Sequence, residues 1–339
     1  MRQQLVALLL GEVAREVRGE MFPLPPGKSK PAYSGTAVPH QVKIGEETVD
    51  VDGLRVTFDL RGYAPDVLLI RARIEVPNVF ERSVFAFEHK IYQEAYRILA
   101  ERGGNRDFSE EYSVFAVSGY EGPPEQFLDH ATIIASLLKS EGLDLDPKEI
   151  EHTLQAQIKY AMNDMAILDW DGAFLFDAEG DFEEEIELLT LANLQLLRHR
   201  ILDRQLDERL GRLADLAAKT VEGRSFRHRE LAGDLRETIQ MRTSSISALQ
   251  RLEREIKLIG DWYSARFFDL AMSKFRVDAW RASIRSKLES VEDIYSMIAE
   301  NFSVSAKHRA EWYQIIAFFI LQAGWFTLIL LELWRFTHS

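Results

Sequence analysis

The sequence predicts an α+β N-terminal domain, then long antiparallel helices of coiled-coil type, then one C-terminal transmembrane helix. Three observations lead there. All ten prolines lie at or before Pro147 and only five of the nineteen glycines follow Asp181, so the residues that punctuate turns are concentrated in the first half. From Leu202 onward apolar residues recur every three or four positions, the period of a helix face. Trp312 to Leu331 is a run of twenty uncharged residues, eleven of them Ile, Leu or Phe. At about 1.5 Å per residue such a run crosses the ~30 Å hydrocarbon core of a bilayer.

Composition narrows the function classes. A chain of 339 residues has room for about two domains, and an apolar fraction of 46% suits a folded protein. A net charge of −13 with no long basic run argues against nucleic acid as a partner. The absence of cysteine excludes disulfides, thiolate-bound zinc and thiol catalysis.

Taken in order, residues 1–40 read as an N-terminal helix and an irregular arm. Leu5, Leu9, Val13 and Val17 have helical spacing, which predicts an amphipathic surface helix. The apolar stretch Leu5 to Leu10 is followed at once by Glu12 and is short for a signal peptide, so the first 300 or so residues are expected in the cytosol. Residues 41–181 form the expected α+β domain. Arg55 to Leu60 and Val67 to Val76 are rich in β-branched residues and bounded by Gly53, Gly62, Pro65 and Pro77, which predicts strands. Phe85 to Arg102 has helical periodicity and stops at Gly103-Gly104. Tyr112 to Val117 reads as a strand, and Pro124 to Ser140 and Pro147 to Met162 as helices with proline in the first turn. Two apolar runs flank Asp171-Gly172, a hairpin signal because both turn positions favour positive φ.

Residues 182–304 are expected to form a helical stalk. Leu202, Leu206, Leu210, Leu213 and Ala217 make one stripe, and Leu231 to Phe267 a second within a predicted helix from Ser225 to Phe275. A third segment runs from Ala279 to Ala299, and no Gly or Pro between these last two segments decides whether they are one helix or two. Asn301 to Ser305 is the predicted break, with Ser305 capping the membrane helix of residues 305–335. Trp312, Tyr313 and Trp334 stand at its two ends, where amphipathic rings favour the headgroup level. Lys307 and Arg309 before the span and Arg335 after it agree with an N-inside, tail-anchored arrangement. Gln322, beside Ala323 and Gly324, points to self-association, since a side-chain amide in hydrocarbon wants a partner and small residues let helices approach. The expected partners are the lipid bilayer and further copies of the chain.

The local motif closest to chemistry is Asp169-Trp-Asp-Gly-Ala-Phe, preceded by Ala-Ile-Leu. It resembles the first motif of haloacid-dehalogenase-type phosphotransferases. That resemblance implies Asp169 as nucleophile and Asp171 as acid–base, the pair helping to hold Mg²⁺. The same residues also read as a hairpin turn with solvated aspartates. Downstream, Asp177, Asp181 and Glu183 to Glu185 offer oxygen ligands for a hard cation, or equally the acidic first turn that complements a helix dipole. Asp169, Asp171, Asp177 and Asp181 are therefore the candidate ligands of a divalent cation. No other cofactor is expected, and neither a His-x-x-x-His pair nor a Gly-rich phosphate loop occurs.

Two wider resemblances complete the reading. Trp280 to Tyr295 and Arg309 to Ile316 resemble the helix and span start of the family named for being required for meiotic nuclear division, which implies a membrane-tethered scaffold. The architecture is also similar to CorA-type magnesium channels, although Gly-Met-Asn is absent. The expected function is a membrane-anchored cytosolic scaffold or sensor without catalytic residues. Its alternatives are a CorA-like oligomeric channel and an Mg-dependent phosphotransfer enzyme using Asp169 and Asp171.

Overall fold

The computed structural model describes residues 1–14, 17, 19–21, 41–221, 243, 247 and 262–337. The chain divides into two units, Met1–Arg204 with Ser244–Ile284, and Gln205–Thr243 with Arg285–Ser339.

The first unit is built on nine strands: β1 (Arg2–Val13), β2 (Glu20–Met21), β3 (Gln41–Val51), β4 (Leu54–Tyr63), β5 (Val67–Glu75), β6 (Gly104–Ser118), β7 (Gln157–Ile158), β8 (Asp164–Leu168) and β9 (Gly172–Asp177). They form one sheet in the order β2-β3-β4-β5-β1-β6-β9-β8-β7. All neighbours are antiparallel except β6 and β9, which run parallel.

The N-terminal helix expected from sequence is instead the strand β1, at the middle of the sheet between β5 and β6. Its residues Leu5 to Leu10 are all buried, because helices cover both faces of the sheet there. A strand covered on both sides reads as a continuous apolar run rather than an alternating one, so the four-residue spacing misled. Val6, Leu8 and Leu10 face one core, while Ala7 and Leu9 face another.

On the second face lie α1 (Ser83–Glu101), a 3₁₀ turn (Pro124–His130) and α2 (Ala131–Leu138). Ile91, Ala95, Ile98 and Leu99 of α1 pack on Ala7, Leu9 and Leu68. Phe127, Ile134 and Leu137 pack on Phe115, Phe174 and Phe176. The helix expected over residues 124–140 is thus divided into two short pieces. The one expected over 147–162 ends early as α3 (Pro147–Leu154), capped by Asp146, because Ile158 leaves it to pair with Ala166 as β7. Gly11 lets α1 approach β1, since a Cβ there would meet Leu99 Cδ2 at 2.6 Å.

Helices α4 (Glu183–Val221) and α5 (Trp262–Lys274) cover the first face. Leu189, Ala192 and Leu196 of α4 and Phe267, Phe268 and Ala271 of α5 join Val6, Leu8, Val114 and Ala116 in one core. At full burial each such leucine or phenylalanine contributes about 1.5–3 kcal/mol. The predicted stripe from Leu231 to Ile259 lies mostly outside the described residues. Its end is α5, which stops at Lys274, and α6 (Val277–Thr337) begins three residues later. The sequence left this junction undecided. Here Arg276 adopts φ +50, a left-handed turn made without glycine. The expected break at Asn301 to Ser305 is not formed, because α6 continues through it, so Ser305 is not a cap. No Gly or Pro stands there to interrupt the ladder.

Helices α4 and α6 meet as the first and third segments of the expected stalk. Ser283 Oγ donates to Asp203 at 2.8 Å, and one turn further along both helices Lys287 pairs with Asp207 at 2.7 Å. The contacts advance in the same direction on each helix, so the two run parallel where they meet. In the second unit, Leu206 and Leu213 of α4 and Val291 of α6 are buried, while the apolar residues of α6 from Trp312 to Leu331 are exposed.

Candidate functional site

The hairpin of β8 and β9 forms as expected, but Gly172 already belongs to β9 and accepts from the Asp169 N–H at 2.9 Å, so the turn is centred on Trp170 and Asp171. Neither Asp171 nor Gly172 takes a positive φ. The turn is also tied to its surroundings. The Asp171 N–H donates to the Leu138 carbonyl at 3.3 Å, and the Ser113 N–H donates to the Asp171 carbonyl at 3.1 Å. Tertiary hydrogen bonds override the local turn preference. The two-residue turn with positive φ at both positions is at Asp52-Gly53, joining β3 to β4, with φ of +54 and +80.

Asp169 is buried and held by two ammonium groups. Lys139, just past α2, lies 3.0 Å from Oδ2, and Lys274, at the end of α5, lies 3.4 Å from Oδ1. Lys139 also pairs with Glu149 of α3 at 2.8 Å. The Asp169 carbonyl accepts from the Tyr112 hydroxyl at 3.2 Å, and Tyr112 meets the Phe275 ring edge-on at 5.4 Å. These contacts tie the hairpin tip to the end of α2 and the end of α5.

Asp171 differs. Burial, with Asp169 and Glu111 nearby, pushes its carboxyl up to about 6. One layer deeper, Glu88 of α1 accepts from the Ser113 hydroxyl, which in turn meets the Tyr92 hydroxyl at 2.9 Å. Burial raises the Glu88 carboxyl to about 7 despite that hydrogen bond. Ser113 is only 1% exposed, so this network is closed to substrate.

The other candidate ligands are not gathered with these. Asp177 stands at the far end of the hairpin, opposite Asp164, and its Oδ1 caps a turn by accepting from Glu179 and Gly180 N–H groups at 2.6 and 2.8 Å. Asp181 follows on the surface just before α4. Glu183 pairs with Arg71 at 3.6 Å and with Arg73, while Asp59 holds Arg61 and Arg71 at 2.8 and 3.2 Å. The first turn of α4 is thereby fixed to β5, and Arg71 is shared with Asp59 of β4. Among the described residues no group of three or more His, Asp or Glu side chains is arranged to hold a metal ion.

Sequence reading passed over one concave feature. A cleft of about 450 Å³ is lined by Glu12, Val13, Ala14, Pro65, Asp66, Gly103 and Asn105. Burial raises both carboxyls in it, Glu12 further through Asp66. Only the apolar-to-acidic step at Glu12 could have marked it in the sequence.

The span is the remaining feature. Glu311–Leu331 is 21 residues long and apolar enough to cross a membrane, and none of it is buried inside the protein. Trp312, Tyr313 and Trp334 are 63%, 72% and 61% exposed at its ends. Gln322 is exposed, and nothing lies within 4 Å of where a Gly324 Cβ would be. These two residues are two positions apart, about 200° around the helix, and so face opposite sides.

A family described as "Uncharacterized protein MJ0711, N-terminal domain" matches residues 3–183, more than half of the 339. The chain belongs to this family. A relative from Methanocaldococcus jannaschii, described as "Uncharacterized protein MJ0711", is 28% identical over 283 residues, covering 82% of this chain and 83% of its own. No solved structure matches the chain.

Membership of the MJ0711 family overturns the resemblances to the meiotic-division family and to CorA-type channels. The residues that carried the former, Trp280 to Tyr295 and Arg309 to Ile316, lie outside the matched 3–183 stretch. Their amphipathic and apolar patterns are what any helix leading into a span requires. The family match coincides with the sheet and ends at the first residue of α4. The likeness to the M. jannaschii protein is longer and reaches into the helices beyond.

Proposed function

We propose that this MJ0711-family chain is a membrane-anchored scaffold or sensor, non-catalytic, whose sheet domain is held at a lipid bilayer by the C-terminal part of α6. The observation that carries this reading is that none of the apolar helix Glu311–Leu331 is buried against the described residues. In water those residues would expose a continuous apolar surface far larger than a soluble protein tolerates. In a bilayer the same surface is satisfied and the aromatic residues at both ends meet the headgroups.

The apolar stripe of α4 supports assigning association to the span rather than to the stalk. Leu202, Leu206 and Leu213 are already buried within the chain. The non-catalytic reading is supported by Asp169, whose carboxylate is neutralised by Lys139 and Lys274. Lys307 and Arg309 ahead of the span, against Arg335 behind it, favour a cytoplasmic sheet domain.

The absence of cysteine gives a clean background for testing this. A single cysteine at the exposed Glu141 is expected to resist an impermeant maleimide in intact cells and to react after lysis. Labelling in intact cells would contradict the cytoplasmic side. Recovery of the protein in the soluble fraction would contradict the anchor.

A further inference from the structure

We propose that the span pairs with the span of a second copy through the face centred on Gln322, the two amides hydrogen-bonding to each other across the interface. This rests on the membrane-anchor reading and names the partner of the same segment.

Within the chain the Gln322 amide meets no described partner. It is the twelfth of the 21 residues of the span, close to mid-membrane, where no water completes its hydrogen bonds. The other polar side chain near that depth is already satisfied: the Thr327 hydroxyl donates to the Ala323 and Gly324 carbonyls at 3.0 and 2.7 Å. Gln322 is therefore the unmatched group.

The pattern around it fits a like partner. Ile315, Gln322 and Ile329 are spaced by seven, with Phe318 and Trp325 between them, which is the a and d spacing of a helix seam. All four apolar residues are exposed, from 44% for Ile329 to 71% for Trp325. A primary amide both donates and accepts, so it is complementary to itself. Two copies inserted in the same direction present it at the same depth. A polar residue at a single a position also fixes register. Gly324 lies on the opposite side of the helix and takes no part.

The test is sedimentation equilibrium of the full chain in mild detergent over a range of protein-to-detergent ratios, with Gln322→Leu, Gln322→Asn and Gly324→Ala beside wild type. Interhelical hydrogen bonds of this kind correspond to roughly a 3- to 30-fold change in association constant. Gln322→Leu is expected to weaken association by that factor, while Gln322→Asn and Gly324→Ala stay close to wild type. A monomeric wild type, an unchanged Gln322→Leu, or a loss confined to Gly324→Ala would each overturn the proposal. Alkaline extraction of membranes holding the same wild-type protein separates the two claims. If the protein is released, the anchor reading falls and this pairing with it. If it is retained and Gln322→Leu associates normally, only the pairing falls.

Discussion

Lys274 Nζ lies 3.4 Å from Asp169 Oδ1, and that contact joins the last residue of α5 to the tip of a hairpin 105 residues earlier. The next residue, Phe275, is fully buried against Tyr112, and the chain turns at Arg276 before α6 begins. The end of α5 is therefore fixed to the sheet by a salt bridge and an aromatic plug just before α6 begins. Removing the carboxylate leaves two lysines, each about one-fifth exposed, with Glu149 beside Lys139 as the one remaining carboxylate of this ion-pair cluster. Asp169→Asn is expected to destabilise the sheet domain by about 1–3 kcal/mol, less than a fully buried pair because the lysines reach solvent. Thermal unfolding followed by near-UV circular dichroism checks this, and an unchanged midpoint would mean the clamp carries no load.

The pH dependence runs in a defined direction. Glu88 and Asp171 titrate at about 7 and about 6 in the fold, above their ordinary values of 4.5 and 3.8. Between those limits the folded state binds more protons than the unfolded one, so stability is greater near pH 5.5 and falls as pH rises through 6 to 7. Glu88→Gln keeps an acceptor for the Ser113 hydroxyl and carries no charge. It is expected to raise the midpoint at pH 8 and to flatten the profile. A wild-type midpoint that climbs steadily from pH 5.5 to 8 would show the opposite sign.

Leu8 distinguishes a central strand from a surface helix. It is fully buried between β5 and β6, so Leu8→Ala is expected to cost about 2–5 kcal/mol. Leu54→Ala, at a position 42% exposed, is expected to stay within about 0.5 kcal/mol. Urea unfolding of the two variants compares them directly. Equal small effects would return the N-terminus to the surface.

Gly53 isolates backbone strain. Its φ is +80 and nothing lies within 4 Å of an added Cβ, so Gly53→Ala meets no clash. The expected loss is about 1–2 kcal/mol from left-handed geometry alone. Gly53→Asn, which tolerates that region better, is expected to lose less. Equal losses for the two variants in the same unfolding assay would point away from the turn.

Much of the fold was legible where local signals and tertiary needs agree. β4, β5 and α1 are flanked by Gly or Pro and keep the right period, and the apolar C-terminal helix is marked by its length. β1 was misread because burial on both faces removes alternation. β3 was missed because, apart from Gln41 and Val51 at its ends, it is only half-buried or exposed and offers no apolar face. Its signal was the Asp52-Gly53 turn, not the Asp-Gly pair at 171–172. The elbow at Arg276 carries no glycine to mark it. At the hairpin tip, the Asp-x-Asp-Gly pattern marked the two aspartates, of which Asp171 has its carboxyl raised by burial. The lysines that pair with Asp169 come from distant segments, and no local pattern could supply them.

The most direct test of the anchor is alkaline carbonate extraction of membranes from cells making the full chain and its Ile320→Arg, Leu328→Arg double variant. Both positions are about two-thirds exposed, so the sheet domain is untouched, while each arginine costs about 2.5–3.5 kcal/mol of insertion. The wild type is expected in the pellet and the double variant in the supernatant. Wild-type protein in the supernatant, or both proteins in the pellet, would contradict a membrane anchor at Glu311–Leu331.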